Sequence, residues 1–157
     1  DLNFLKVINK MGASIEYHEN SVKVTRKDRL KGLDIDCKEI PDAAMTLAVM
    51  AIFAKGKTEL RNIGSWRVKE TDRIHAMETE LKKLGAHVTS TIDSISISPP
   101  SIISNNVVID TYNDHRMAMC FSLVTLANKT VTINEPECVN KTYPEFFKDF
   151  EAVTSWT

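Results

Sequence analysis

The sequence predicts an α+β (mixed α/β) fold made of about two β-α-β repeats of roughly 72 residues, with buried central helices and outer sheets. Three observations lead there. The stretch "KMGASIEY" (10–17) returns as "KLGAHVTS" (83–90), so that Gly12 recurs as Gly85, 73 residues on. The stretch "PDAAM" (41–45) returns as "NDHRM" (113–117), and Asp42 and Asp114 stand 72 apart, as do Lys69 and Lys141. Finally, two helical segments are apolar nearly all round. Between Ala43 and Ala54 only Thr46 is polar, and a helix of that kind is enclosed on every side.

Each unit opens on an amphipathic helix. In "TDRIHAMETELKKLG" (71–85), Ile74, Met77, Leu81 and Leu84 keep a helical spacing. Lys82 and Lys83 then Gly85 end it, basic residues and a glycine being common stop signals. Two alternating strands follow, "AHVTST" and "SISIS", matched in the first unit by "SIEYH" and "SVKVTR". A third strand is "NVVID" or "LDIDC", and the apolar helix is "DHRMAMCFSLVTLA" or "DAAMTLAVMAIFA". The strand "KTVTIN" or "KTELRNI" closes the unit, and "TYPEFFKDFEAV" forms a last helix.

A chain of 157 residues with 43% hydrophobic and 26% charged residues suggests one globular domain with a real core. The formal net charge of −1 gives no general attraction to nucleic acid or an anionic membrane, so neither is expected as a partner. Cys37, Cys120 and Cys138 are widely spaced and odd in number, which fits a reducing cytoplasm and suggests no metal site. The longest apolar run is too short to span a bilayer, and no signal peptide is apparent. The chain starts at Asp1, without Met, and reads as a piece of something longer.

The chemistry concentrates at helix starts. Asp42 and Asp114 each precede an apolar helix, where an aspartate serves as an N-cap. In "RVKETDR" (67–73), Lys69 and Arg73 bracket Glu70 just before and into a helix, with Thr71 or Asp72 as cap. In "NKTYPEF" (140–146), Lys141 precedes a possible capping box of Thr142 and Glu145. Arg116 and His115 sit in the first turn after Asp114. A helix N-terminus carries partial positive charge and disfavours cations. One such cation is a solvated surface residue. Three at related repeat positions point to a bound anion, which free N–H groups and arginine forks both favour. Glu70 and Asp42 beside such a site are suited to proton transfer, and His115 titrates near neutrality.

The stretches "IPDAAMTLAVMAIFAKG", "LRNIGSWRVKETDRIHAMETELKKLGA", "TYNDHRMAMCFSLV" and "KTYPEFF" occur in this order. Together they resemble the C-terminal part of the 5-enolpyruvylshikimate-3-phosphate synthases, or 3-phosphoshikimate 1-carboxyvinyltransferases, of bacterial type. The resemblance covers essentially the whole chain. It implies the inside-out repeat fold of the enolpyruvyl transferases. Residues 1–157 would be most of the C-terminal domain, with the N-terminal domain absent.

The implied reaction transfers the enolpyruvyl group of phosphoenolpyruvate to the 5-hydroxyl of shikimate 3-phosphate, with release of phosphate and no cofactor or metal. It belongs to the shikimate pathway of chorismate and aromatic amino acid biosynthesis. By motif match Asp42 binds the shikimate hydroxyls and acts as base, Lys69 assists, and Glu70 handles the methylene proton. Arg73, Arg116 and Lys141 hold phosphoenolpyruvate, and His115 supports the site. Ser65 stands where the family commonly has an asparagine that contacts the shikimate phosphate. A cytoplasmic monomer is implied, inactive when reduced to this part. The rival readings are a relative of the UDP-N-acetylglucosamine enolpyruvyl transferases and a folded module without catalysis.

Overall fold

The structure, a computed structural model, describes residues 2–154. The first unit runs α1 (Leu2–Lys10), β1 (Ala13–Tyr17), β2 (Val22–Arg26), β3 (Asp34–Asp36), α2 (Ala44–Ala51) and β4 (Thr58–Arg61). The second repeats it as α3 (Arg73–Lys83), β5 (His87–Ser90), β6 (Ile95–Ser98), β7 (Val107–Ile109), α4 (His115–Ser122) and β8 (Val131–Ile133). A closing helix, α5 (Phe146–Thr154), follows a short 3-10 helix at Pro136–Lys141. No helix among the described residues is long and apolar enough to cross a membrane.

The apolar helices lie at the centre. In α2, Met45, Leu47, Ala48 and Val49 are fully buried, and α2 packs on α3, α4, β4 and β6. Both central helices are shorter than the apolar patterns that announce them. After Ser122 the chain tightens into a 3-10 helix, Leu123–Ala127. There Ser122 Oγ donates back to the Ala118 carbonyl at 2.7 Å and Thr125 Oγ1 to the Ser122 carbonyl at 2.8 Å. Hydroxyls that bond the preceding turn compete with the regular ladder.

The sheets do not respect the repeat boundary. Strand β4 pairs in parallel with β3 of its own unit and antiparallel with β6 of the next, giving the order β3-β4-β6-β5. Hairpin β1-β2 and parallel pair β7-β8 are the same two half-sheets left separate. One sheet therefore joins the units, and its inner side chains Leu60, Ile95 and Ile97 are fully buried against the core. Trp66 fastens the segment between β4 and α3, its Nε1 donating to the Pro41 carbonyl at 2.7 Å.

Two capping expectations fail for physical reasons. Helix α2 begins at Ala44 with Ala43 as its cap and no side-chain bond; the carboxylate of Asp42 is drawn to basic side chains instead. Helix α5 begins only at Phe146, and Glu145 accepts from Lys148 at 2.8 Å instead of closing a box with Thr142. The cap at Asp114 forms, its Oδ1 accepting from the Arg116 N–H at 2.9 Å, and Asp72 caps α3 through the His75 N–H at 3.1 Å.

Gly12 and Gly85 end α1 and α3 with φ of 112° and 93°, in the left-handed region. A Cβ on Gly85 would also meet the Ile102 carbonyl oxygen at 3.4 Å. L-residues pay roughly 1–2 kcal/mol there. Gly85→Ala is therefore expected to destabilise the chain by about 1–2 kcal/mol in urea unfolding, and Gly12→Ala, in looser surroundings, by no more than that.

Candidate active site

Three helix starts meet at one point. Arg73, the first residue of α3, turns its side chain inward and is 1% exposed. Its Nε donates to Asp114 Oδ2 at 2.7 Å, its Nη1 to Asp42 Oδ1 at 2.9 Å, and its Nη2 to Glu70 Oε2 at 2.7 Å and Asp114 Oδ1 at 3.3 Å. The carboxylates come from the starts of α4, α2 and α3, so one guanidinium ties three elements together. Burial opposes its charge, but the bonds and charges of Asp114, Glu70 and Asp42 outweigh that and raise its pKa.

Around this inner pair lies a more exposed layer. Arg116 Nη2 stands 3.2 Å from Asp42 Oδ2, and Lys69 Nζ 4.0 Å from Asp42 Oδ1. Lys141, on the 3-10 helix before α5, donates to Glu70 Oε1 at 2.6 Å. The side chains of Lys69, Arg116 and Lys141 are 37%, 38% and 57% exposed, against 0% for Asp114. The cluster thus has a dry floor of Arg73 and Asp114, two carboxylates above it, and three cations at the rim. Four cations face three carboxylates, so the surface has a positive surplus suited to anions.

His115 lies against the floor, buried, with Nδ1 3.8 Å from Asp114 Oδ1 and without a hydrogen-bond partner. Burial lowers its pKa below the ordinary imidazole range, against the opposing charge of Asp114. Glu70 is the reverse case. The hydrogen bond from Lys141 leads in lowering its pKa to about 2, with Arg73 adding charge, while burial works against the shift.

Six of the seven residues singled out in the sequence, besides Arg73 itself, can be placed directly. Asp42, Lys69, Glu70, His115, Arg116 and Lys141 gather around Arg73 through the contacts above. Ser65 does not: it is exposed on the 3-10 helix Gly64–Val68 and takes part in none of these ion pairs. The residue whose importance the sequence understated is Asp114, which is a helix cap and also the fully buried counter-charge of Arg73. The signal was a cation at the first position of α3 with no carboxylate one turn away to match it other than Glu70. Among the described residues no group of three or more His, Cys, Asp or Glu is arranged to hold a metal ion.

Residues 1–150 match the family model of the EPSP synthases, described as 3-phosphoshikimate 1-carboxyvinyltransferase. The chain belongs to this family. It is 50% identical to the 3-phosphoshikimate 1-carboxyvinyltransferase of Buchnera aphidicola subsp. Cinara cedri over 159 residues, covering 100% of this chain and 36% of that protein. It is 53% identical to the enzyme of the same description from Pseudoalteromonas translucida over 154 residues, 98% of this chain and 36% of that protein. The solved EPSP synthase of Acinetobacter baumannii superposes with a TM-score of 0.78 at 29% identity, covering 92% of this chain and 37% of the other. The expected enolpyruvyl transferase fold is the one observed. The chain spans about 36% of the length of the curated relatives it matches.

Removing the guanidinium leaves a buried carboxylate without a counter-charge, which typically costs 3–5 kcal/mol. Arg73→Ala is expected to lose about that much in urea unfolding, or to prevent folding outright. Glu70 sets a pH dependence. Its unfolded carboxyl takes up a proton near 4.5 and the folded one only near 2. Its contribution is therefore complete above pH 4.5 and is lost as the pH falls towards 2. Unfolding measured across this range should show a shallower acid slope in Glu70→Gln.

Proposed function

We propose that the chain forms one wall of the active site of a 3-phosphoshikimate 1-carboxyvinyltransferase, whose other wall is supplied by the rest of a longer polypeptide. The observation that carries this reading is the convergence of Asp42, Lys69, Glu70, His115, Arg116 and Lys141 on Arg73. The rim cations suit a ligand that carries both a carboxylate and a phosphate, as phosphoenolpyruvate does. Arg116 and Lys141 hold these groups. Each must then exchange its present carboxylate partner for the ligand, which frees Asp42 and Glu70 for chemistry.

Asp42, beside Lys69, takes the proton from the 5-hydroxyl of shikimate 3-phosphate as that oxygen bonds to the central carbon of phosphoenolpyruvate. Glu70, which takes up a proton once Lys141 has left it for the ligand, delivers that proton to the methylene carbon, giving a tetrahedral ketal phosphate. Phosphate leaves with the proton that Asp42 took from the hydroxyl, and return of the methyl proton to Glu70 restores the double bond in the product. Arg73 has its donors committed to carboxylates and acts by fixing Asp42 and Glu70 relative to each other, the kind of positioning on which such steps depend. His115 completes the floor. Ser65 faces the shikimate phosphate more weakly than an asparagine would. The complete enzyme works as a cytoplasmic monomer in aromatic amino acid biosynthesis, and needs no metal or cofactor.

Phosphate release from the two substrates tests the reading. The 157-residue chain alone is expected to be inactive, because it supplies one wall. Fused to the upstream part of the Buchnera relative, it should turn over, and Glu70→Gln in the fusion should abolish turnover. If the fusion folds and binds neither substrate, the reading is wrong. Arg116→Ala in that fusion should weaken phosphoenolpyruvate binding by one to two orders of magnitude, since a hydrogen bond to a charged group contributes about 1.5–3 kcal/mol. Its stability should change by less than about 1 kcal/mol, because the pair with Asp42 is partly solvated.

A further inference from the structure

The turn that launches α4 is strained, and a buried carboxylate outside the site holds it. Residues Thr111 to Asp114 close the turn, the Asp114 N–H donating to the Thr111 carbonyl at 2.9 Å. Its two central residues, Tyr112 and Asn113, both have a φ of 54°. Asparagine tolerates that region, but a tyrosine there is opposed by its own Cβ. Strain of this kind persists only where the surroundings enforce it, and it gathers at functional sites. Here the enforcing group is Glu80 of α3, whose side chain is 0% exposed. Its Oε1 accepts from the Tyr112 hydroxyl at 2.8 Å, and its Oε2 from the Asp110 N–H at 3.1 Å and Lys83 Nζ at 2.7 Å. Burial, and then this bond to a carboxylate, push the Tyr112 pKa up to about 12, so the hydroxyl stays a donor.

The first unit of the repeat is built differently at the same places. Glu80 corresponds to Val7, 73 residues earlier, and Tyr112 to Ile40, 72 residues earlier. Val7 and Ile40 are buried apolar residues, neither Ile40 nor Pro41 has a positive φ, and the aspartate that follows does not cap its helix. In the second unit the polar pair, the left-handed turn and the cap by Asp114 occur together. The pair also adds a second tether between α3 and the turn. Arg73 binds Asp114, and Glu80, about two helical turns further along α3, binds Tyr112. One contact leaves a pivot, whereas two fix the direction in which α4 sets out. His115 and Arg116 are the first residues of α4, so that direction sets where the Arg116 guanidinium lies. We propose that Glu80 and Tyr112 are positioning residues for Arg116, holding the left-handed turn so that this rim cation meets the anionic groups of the substrate already aimed. The inference rests on the reading of Arg116 as a holder of phosphoenolpyruvate. Asp42 and Glu70 lie on other segments, so the pair governs affinity for phosphoenolpyruvate and not the proton transfers.

Tyr112→Phe keeps the ring and removes only the hydroxyl. In the fusion described above it should raise KM for phosphoenolpyruvate about tenfold, while kcat and KM for shikimate 3-phosphate stay within about twofold. Glu80→Gln should show the same split with a larger loss of stability, because an amide cannot accept from all three donors. Gly12→Ala, which strains the chain away from this turn, should leave both constants unchanged. Amide exchange in the 157-residue chain reads the tether without substrate. The Asp114 and Arg116 N–H groups should exchange faster in Tyr112→Phe, while the Ala76 N–H, bonded to the Asp72 carbonyl at 3.0 Å in the first turn of α3, keeps its rate. An unchanged KM for phosphoenolpyruvate, or a kcat that falls by as much as KM rises, would overturn the proposal and leave the network purely structural. A fusion with native Tyr112 that folds and binds neither substrate would sink the functional reading alone. The exchange rates at Asp114 and Arg116 would then decide the tether, and unchanged rates would overturn it.

Discussion

The contact on which the arrangement depends is the buried pair of Arg73 and Asp114. A guanidinium with 1% exposure has lost nearly all its water, and it is tolerable only if its donors meet acceptors in a fixed geometry. Asp114 supplies two of these acceptors, and Asp42 and Glu70 supply the others. Because these carboxylates stand at the starts of α4, α2 and α3, satisfying one side chain also fixes the relative positions of three helices. It also answers a local conflict. Three positive helix ends brought close together repel one another and their own basic residues. The carboxylates placed among them offset both.

This changes how the misplaced cations are understood. Each cation at a helix start is matched by a carboxylate of the chain itself, so an external anion is not required to explain its presence. For Arg73 the internal partners engage all three nitrogens of the guanidinium. Arg116 and Lys141 differ in that their side chains remain 38% and 57% exposed and each leans on a single carboxylate. They hold their partners in place without being enclosed by them.

The repeat explains why the two units look alike and behave differently. Both use a left-handed glycine to end the amphipathic helix and an aspartate before the apolar helix. Asp114 finds its helix N–H and Arg73 together and is sealed in. Asp42 finds Arg73, Arg116 and Lys69 and leaves α2 without a side-chain cap. A local rule, that an aspartate here caps a helix, was decided by charges that arrive from elsewhere in the chain.

The sequence by itself determined the order of helices and strands, the repeat, the central place of α2 and α4, and most of the residues that gather around Arg73. These are local properties. Periodicity, glycine and apolar runs act within a turn or two of helix or a few residues of strand, and the motifs carry the family likeness. Only the tertiary structure decided that β4 pairs across the repeat boundary with β6, that Asp42 abandons its helix, and that Arg73 lies on the floor of the cluster instead of at its rim. Each of these depends on partners 31 to 41 residues away in sequence, or on which strand edge finds another. Long-range pairing is governed by the burial and charge of the assembled chain, and no window of sequence contains both sides of it.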